Sequence, residues 1–410
     1  MIASEPVTSP LRVLITTSTF PVREGDGQAR FILDLADALS DHAAVTVLAP
    51  HAPGTPRQER LGEVLVKRFR YFFPTAYESL AYGSGMRDNM ERSRLARLQV
   101  PFLLVAQLIA TIWTMFTIRP TVVNAHWLVP QGLTSALAAR LLRTPLVLHV
   151  HAADVYFLRR LLWGDKIARF VVSSASDVLA DGSHVRDALD EILGYESGAT
   201  LRPMGVWTHR FGSAIDEVPF ERTLPDRYVV FVGRLVEKKG IEYLIRAMPE
   251  VRNQLPNMEL VIVGSGPLDE SLRKLAEALG IGGAVKFLGA LSHAEVVSLL
   301  RGAEVACVPS IIDSRGETEG MPTVVLEAMA AGVPVVGSAV NGIPDILHDA
   351  ENGWLVEPAN DDDLARGLLS ALKYPSGDAM TEAGKETALL HDWGTVADEY
   401  AHVLKEAIHD

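Results

Sequence analysis

The chain is poor in cysteine, in positive charge and in aromatic residues. Among its 410 residues there is one cysteine, Cys307. That excludes an intramolecular disulfide and any thiolate-rich metal site. Its setting, "AEVACVPS", is an apolar run, which predicts a buried, inert thiol. Arg and Lys number 38 against 51 Asp and Glu, a net charge of −13, so a nucleic-acid binder with a positive surface is not expected. The start, "MIASEPVTSPLRVLITTS", has no basic segment followed by a long apolar one, so no secretory leader is expected and a cytoplasmic protein is. Low-complexity tracts and short repeats are also missing. What is present is a 48% hydrophobic, 22% charged composition over a length suited to two or three domains with substantial cores.

One segment stands apart. Residues 100–118, "VPFLLVAQLIATIWTMFTI", hold no charge, and their length is close to the ~20 residues that span a bilayer. Arg87, Arg92, Arg94 and Arg97 precede the run and Arg119 follows it. Residues 57–119 carry ten Arg or Lys against five Asp or Glu, a local +5 in an acidic chain. Three readings compete: a buried helix, a peripheral contact with an anionic membrane leaflet, and a transmembrane span. Gln107, Thr111, Thr114 and Thr117 favour the buried helix, and a span would cut the first domain in two.

The rest alternates strands and helices in two series. The first runs through "LRVLITTS", the helical "ARFILDLADALS", "AVTVLAP", the long helical stretch, "TVVNAHWL", the helical "GLTSALAARLL", "PLVLHVHAAD", "FVVSSA" as a strand, and "DVLADGSHVRDALDEIL" as a helix. The second opens near residue 226 with "RYVVFVGRL". It continues through "GIEYLIRAMPEV", "MELVIVGSGP", "LDESLRKLAEAL", "VKFLG", "EVACVPS", "PTVVLEAMAAG" and "PVVGSAV". Such alternation predicts an α/β fold of two Rossmann-like parallel-sheet domains facing across a cleft. The expected boundaries are 1–204, a linker at 205–227, 228–385, and a C-terminal helix at 386–410 returning to the first domain. Ligands bind at the carboxyl ends of strands in such sheets.

Candidate site residues cluster at those ends. In "FVGRLVEKKG", Arg234 follows a strand directly and Lys239 opens the next helix, bracketed by Gly233 and Gly240. A guanidinium fork and an ammonium point charge suit a diphosphate. In "EGMPTVVLEAMAAG", Pro322 suits a first helical position and Gly332 a C-cap, so a helix from about 322 to 332 would turn free amides toward phosphate. Glu319 before that helix and Glu327 within it repel phosphate, so neutral hydroxyls of a sugar or ribose are their expected partners. Gly320 and Met321 complete the loop. Gly264, Gly266 and Pro267 form a Gly-rich turn after a strand, suited to close backbone approach to a base or ribose rather than to a dinucleotide fingerprint. In the first domain, Gly25, Asp26 and Gly27 precede a helix and offer amides to phosphate or sugar. His149 and His151 share one side of a strand, with His151 and Asp154 at its carboxyl end, while His126 and Trp127 end another strand as candidate acceptor contacts. The run Asp361–Asp363 precedes a helical pattern and reads as a cap rather than a metal site. No metal and no organic cofactor is expected.

These motifs, in this order over nearly the whole chain, resemble the retaining family 4 glycosyltransferases. The matching elements are G-R-L-(3)-K-G at 233–240, G-S-G-P at 264–267, E-G-M-P-(4)-E at 319–327 and H-A-x-D at 151–154. The resemblance implies a GT-B architecture and transfer of a sugar from a nucleotide diphosphate sugar with retention at the anomeric carbon. It implies that Arg234 and Lys239 bind the diphosphate, Glu319 the sugar hydroxyls, Glu327 the ribose, and His151 the sugar near the reacting carbon, with the 25–27 loop at the β-phosphate. His151, Glu319, Arg234 and Lys239 are then the catalytic set, and the acceptor is a glycan or a lipid-linked sugar. The sequence departs from the family at Ala152 for Gly, Asp26 inside a Gly pair, and Met204 for Asn. "HWLVPQG" and "FPVREGDGQARFI" look most like enzymes building bacterial exopolysaccharide, capsule or lipopolysaccharide. A nucleotide-sugar epimerase of the same architecture and a non-catalytic nucleotide-sugar sensor would use the same residues without an acceptor. A phosphorylase would need a pyridoxal-phosphate lysine, which no segment suggests.

Overall fold

The structure is a computed structural model, and it describes residues 11–18, 20–22, 30–83, 85–211, 224–316, 318, 320–373 and 379–409. Two compact units emerge. Unit 1 holds residues 1–180, 185–202 and 397–410, and unit 2 holds residues 181–184 and 203–396.

Unit 1 is built on strands β1 (Arg12–Thr16), β2 (Ala44–Pro50), β3 (Gln58–Leu61), β4 (Val64–Phe69), β5 (Val122–His126), β6 (Leu146–Val150), β7 (Asp177–Ala180) and β8 (Thr200–Leu201). They lie in the order β3-β4-β2-β1-β5-β6-β7-β8, parallel except for the β3–β4 pair. The central strands are buried along their length, β5 and β6 at every residue, as a sheet covered on both faces requires. The edge hairpin β3–β4 was not anticipated. Gly62, at φ +57, turns it, and the alternation of buried Val64, Val66 and Arg68 with half-buried Leu65 and Lys67 is its signature.

Two adjacent assignments need correction. "FVVSSA" is not a strand: Gly164–Val172 is a helix that buries Ala168, Val171 and Val172 along one face. The strand is "DVLA", Asp177–Ala180, and the following helix starts only at Ser183. Two adjacent valines favour a strand locally, but the apolar positions recur at helical spacing and tertiary burial decides.

Unit 2 contains β9 (Tyr228–Val232), β10 (Glu259–Val263), β11 (Val285–Gly289), β12 (Val305–Val308), β13 (Val335–Ser338) and β14 (Trp354–Val356), all parallel, in the order β11-β10-β9-β12-β13-β14. Its core has two sides. Val230, Val261, Val308 and Leu326 cluster on one face, while Phe231, Ile245, Ile262 and Leu368 cluster on the other. Asp361–Asp363 form the first turn of a helix capped by Asn360, whose side chain accepts the Asp363 N–H at 3.0 Å. The last helix, Trp393–His409, contributes Ala397 onward to unit 1, where the Tyr400 side chain is fully buried.

Candidate active site

In unit 2 the site is assembled from loops at strand ends. The loop after β9 leaves through Gly233, whose N–H reaches the Val263 carbonyl at 3.0 Å. Gly264 lies directly against it: a Cβ there would stand 1.8 Å from the Gly233 oxygen, at φ +133. A Cβ on Gly266 would meet the Leu235 oxygen at 2.3 Å, and Leu235 N–H bonds the Ser265 carbonyl at 3.0 Å. The glycines of G-S-G-P thus let two backbones interlock. Pro267 follows in the same turn, and Gly264 N–H ties the turn to Gly289 at 2.8 Å. The motif expected from sequence to face the ligand also packs against the backbone on either side of Arg234, at Gly233 and Leu235.

Arg234 is exposed at the end of β9, next to that interlock. A Cβ placed on Gly233 would lie 3.3 Å from Lys239 Cε and 3.5 Å from its Nζ, so the lysine folds back toward the arginine's own loop. Gly240 then turns the chain at φ +62, with the Pro309 oxygen 1.8 Å from where a Cβ would be. Glu237 fixes the loop further, accepting from Ser314 N at 2.7 Å and Ser314 Oγ at 2.9 Å. The two cations are therefore held on one short, braced segment.

The helix after Pro322 is shorter than expected, Val324–Ala330. Pro322 and Met321 are buried before it, and the Pro322 carbonyl accepts the Val325 N–H at 3.0 Å. Seven residues carry a smaller dipole, and one leading amide is already engaged, so the cations carry most of the positive charge here. Glu327 is half-buried and accepts from Thr323 Oγ1 at 3.4 Å. Gly332 ends the helix at φ +71, as a C-cap glycine should. Gly320 is half-buried, whereas Gly25, Asp26, Gly27 and Glu319 lie outside the described residues.

The sequence reading missed three polar side chains. Ser310 Oγ after β12, Thr318 Oγ1, and both amide atoms of Asn341 after β13 are buried without a hydrogen-bond partner. Buried hydroxyls and amides are ordinarily satisfied, and orphans at strand ends suit a polar ligand. Nothing in the sequence marks them, because burial is settled only by packing.

In unit 1, β5 and β6 pair with His126 opposite His149. The rings of His149 and His151 stack at 4.7 Å with 3° between planes, and Trp127 lies 4.7 Å from His151. Asn124 donates Nδ2–H to the Val147 carbonyl at 3.2 Å, which points its Oδ1 at His126 Nε2, 3.0 Å away. An amide oxygen only accepts, so His126 carries its proton on Nε2. Its Nδ1, 3.0 Å from His151 Nε2, then accepts the Nε2–H of His151. His149 Nδ1 bonds the Tyr400 hydroxyl.

His126 is fully enclosed and Asp154 is 4% exposed, and both bond to His151, which is 5% exposed. Asp154 accepts the backbone N–H of His151 at 3.1 Å and that of Leu128. Burial pushes its carboxyl up to about 7, against the opposing pull of His151 and neighbouring amides. Trp127, at φ +71, remains half-buried beside His151.

Comparison with known proteins follows this division. The family described as "Glycosyltransferase Family 4" matches residues 25–210, and "Glycosyl transferases group 1" matches residues 215–387. An uncharacterized glycosyltransferase of Methanocaldococcus jannaschii is 36% identical over 203 residues, 47% of this chain and 49% of that protein. A GDP-mannose-dependent α-(1-6)-phosphatidylinositol monomannoside mannosyltransferase of Mycolicibacterium smegmatis is 32% identical over 58% of this chain and 64% of that protein. The chain thus spans less than two thirds of these relatives' length. Among solved structures, Anabaena HepE in complex with UDP matches with TM-score 0.70 and 18% identity, covering 97% of this chain and 100% of that one. Sucrose-phosphate synthase from Thermosynechococcus elongatus matches with TM-score 0.75 and 20% identity, covering 97% and 99%. At such identities the likeness is one of fold.

Proposed function

We propose that this chain, which belongs to the family 4 glycosyltransferases of GT-B fold, moves a sugar from a UDP- or GDP-sugar to a glycan or glycolipid acceptor with retention and without a metal ion. The observation that carries the reading is the braced Arg234–Lys239 segment at the end of β9, with Lys239 folded back on Gly233. Departure of a nucleoside diphosphate leaves growing negative charge on the β-phosphate. Cations fixed in advance stabilise that charge more in the transition state than in the bound donor. In this reading they do the work a divalent ion would otherwise do. Glu319 and Glu327 take sugar and ribose hydroxyls, and Ser310, Thr318 and Asn341 supply further polar contacts. His151, its Nε2–H turned to His126, keeps its assignment to the sugar, and Trp127 that to the acceptor. Same-face attack follows if a phosphate oxygen takes the acceptor's proton.

The mannosyltransferase named above depends on GDP-mannose, which supports a nucleotide-sugar donor, and a colanic acid biosynthesis relative of Escherichia coli supports a role in cell-surface polysaccharide. The enzyme would work in the cytoplasm, against the inner membrane leaflet. Arg234→Ala and Lys239→Ala should each lower kcat for donor turnover by on the order of 10²-fold, with chelator leaving the wild type unchanged. Near-normal rates in both variants, or loss of turnover in chelator, would defeat the proposal.

A further inference from the structure

The long helix Arg94–Ile118 is built inside out. Its buried positions include Gln99, Gln107, Thr111 and Thr114, alongside Ala96, Leu103 and Met115. Its solvent-facing stripe is Leu98, Phe102, Val105, Ile109, Trp113 and Phe116, at steps of three and four and between 51% and 69% exposed. A helix facing water carries the opposite polarity, with its apolar stripe turned to the core. The stripe also continues beyond the helix. Gln99 Nε2 donates to the Tyr77 carbonyl at 2.7 Å and its Oε1 accepts Ser79 N–H at 3.1 Å, pinning the preceding loop alongside. Phe72 sets its ring against Phe102 at 5.6 Å, and Phe73 is 87% exposed. A contiguous apolar surface of this kind marks a contact site.

Charge says with what. A groove of about 590 Å³ runs between the helix and β4, lined by Ile109 and Trp113 on one side and by Arg57, Lys67 and Arg70 on the other. Lys67 Nζ reaches Thr117 Oγ1 at 3.4 Å, bringing the cation to the helix itself. These cations belong to a locally positive stretch of a chain whose net charge is −13. Apolar side chains flanked by cations match the boundary between anionic headgroups and acyl chains. The helix is long and apolar enough to cross a membrane. Its polar face, however, packs on the helix Leu133–Leu142 and on β2 and β4, which a crossing helix would have to leave.

We propose that this face docks unit 1 on an anionic lipid bilayer, with the stripe from Leu98 to Phe116 in the headgroup–acyl boundary and Arg57, Lys67 and Arg70 on lipid phosphates. This deepens the membrane placement given above and is independent of the transfer chemistry. The test is co-sedimentation of the full chain with phosphatidylcholine vesicles, with and without phosphatidylglycerol. The wild type should pellet with phosphatidylglycerol vesicles and be released by salt. Ile109→Asn with Trp113→Asn should weaken binding roughly tenfold or more, and Lys67→Glu with Arg70→Glu should abolish the preference for anionic lipid. Both pairs should keep the donor's thermal shift, since neither touches the donor residues. Arg234→Ala should lose that shift and still pellet, so the two readings fail separately. Equal binding to neutral vesicles, variants that bind like the wild type, salt-resistant insertion, or a lipid-free dimer broken by the Trp113 change would each overturn the proposal.

Discussion

Asp154 offers a test of the histidine cluster that needs no substrate. The carboxyl is 4% exposed, and burial raises it from the ordinary 3.8 to about 7. Between those limits the folded chain keeps a proton that the unfolded chain has lost. Stability therefore falls as pH rises: the contribution is fully present below about pH 4 and is lost as pH climbs through about 7. At about 1.4 kcal/mol for each tenfold, the whole span amounts to about 4 kcal/mol, a ceiling for this group. Asp154→Asn removes the titration. It also replaces one accepting oxygen by NH₂, so either the Leu128 or the His151 amide loses its acceptor, costing about 1–3 kcal/mol at any pH. The variant should be the less stable protein near pH 4, and the gap should close or reverse by about pH 8. Urea unfolding across that range, followed by hydrogen–deuterium exchange in peptides of β5 and β6, isolates unit 1. A gap that stays constant with pH refutes the reasoning, because the proton would then be held equally in both states.

The interlocked glycines make a second prediction. Gly264→Ala places a methyl group on the Gly233 carbonyl at an unfavourable φ, so unit 2 should lose about 2 kcal/mol or more, and donor binding should weaken because Arg234 moves with that loop. A thermal-shift titration separates the two effects, and an unshifted melting curve would remove the structural role given to G-S-G-P. Cys307 is 2% exposed and burial pushes its thiol up, so a thiol reagent should leave it untouched in the folded protein and label it on unfolding. Labelling at native rates would contradict the packing of β12.

What the sequence disclosed followed from local repetition. The unbroken apolar run "YVVFV", rich in β-branched and aromatic residues, and the glycine after it locate a strand end, and a cation on that end is conspicuous. The same logic singled out Lys239, Glu327, His149 and His151 as candidates. It failed where the decisive fact is a neighbour distant in the chain. Asn124 looks like one polar interruption of a strand, yet its amide fixes the protonated nitrogen of His126 and, through it, that of His151. Ser310 and Thr318 look like ordinary loop hydroxyls until the core closes over them. "FVVSSA" reads as a strand because β-branched residues are counted before the face they share is known.

The helix Arg94–Ile118, expected from its polar residues to be buried, buries one face and exposes the other. Its scattered Gln and Thr residues were grounds for a buried helix, since a membrane-facing one should carry few polar groups. In the structure Gln107, Thr111 and Thr114 are buried, Thr117 is exposed, and only 28% of the helix's most apolar 18-residue window is inside the protein. Composition says how many polar residues a helix has. The angle at which they recur says which side they occupy, and here Gln99, Gln107, Thr111 and Thr114 share a side while the aromatic residues hold the other. Gln107 and Thr111 pack inward without hydrogen-bond partners, a cost that a helix chosen only to cover the sheet would avoid by exchanging its two faces. The cost is tolerable if the outward face has an apolar environment of its own, so the unsatisfied amide inside and the exposed Trp113 outside bear on the same question: what surrounds the protein there.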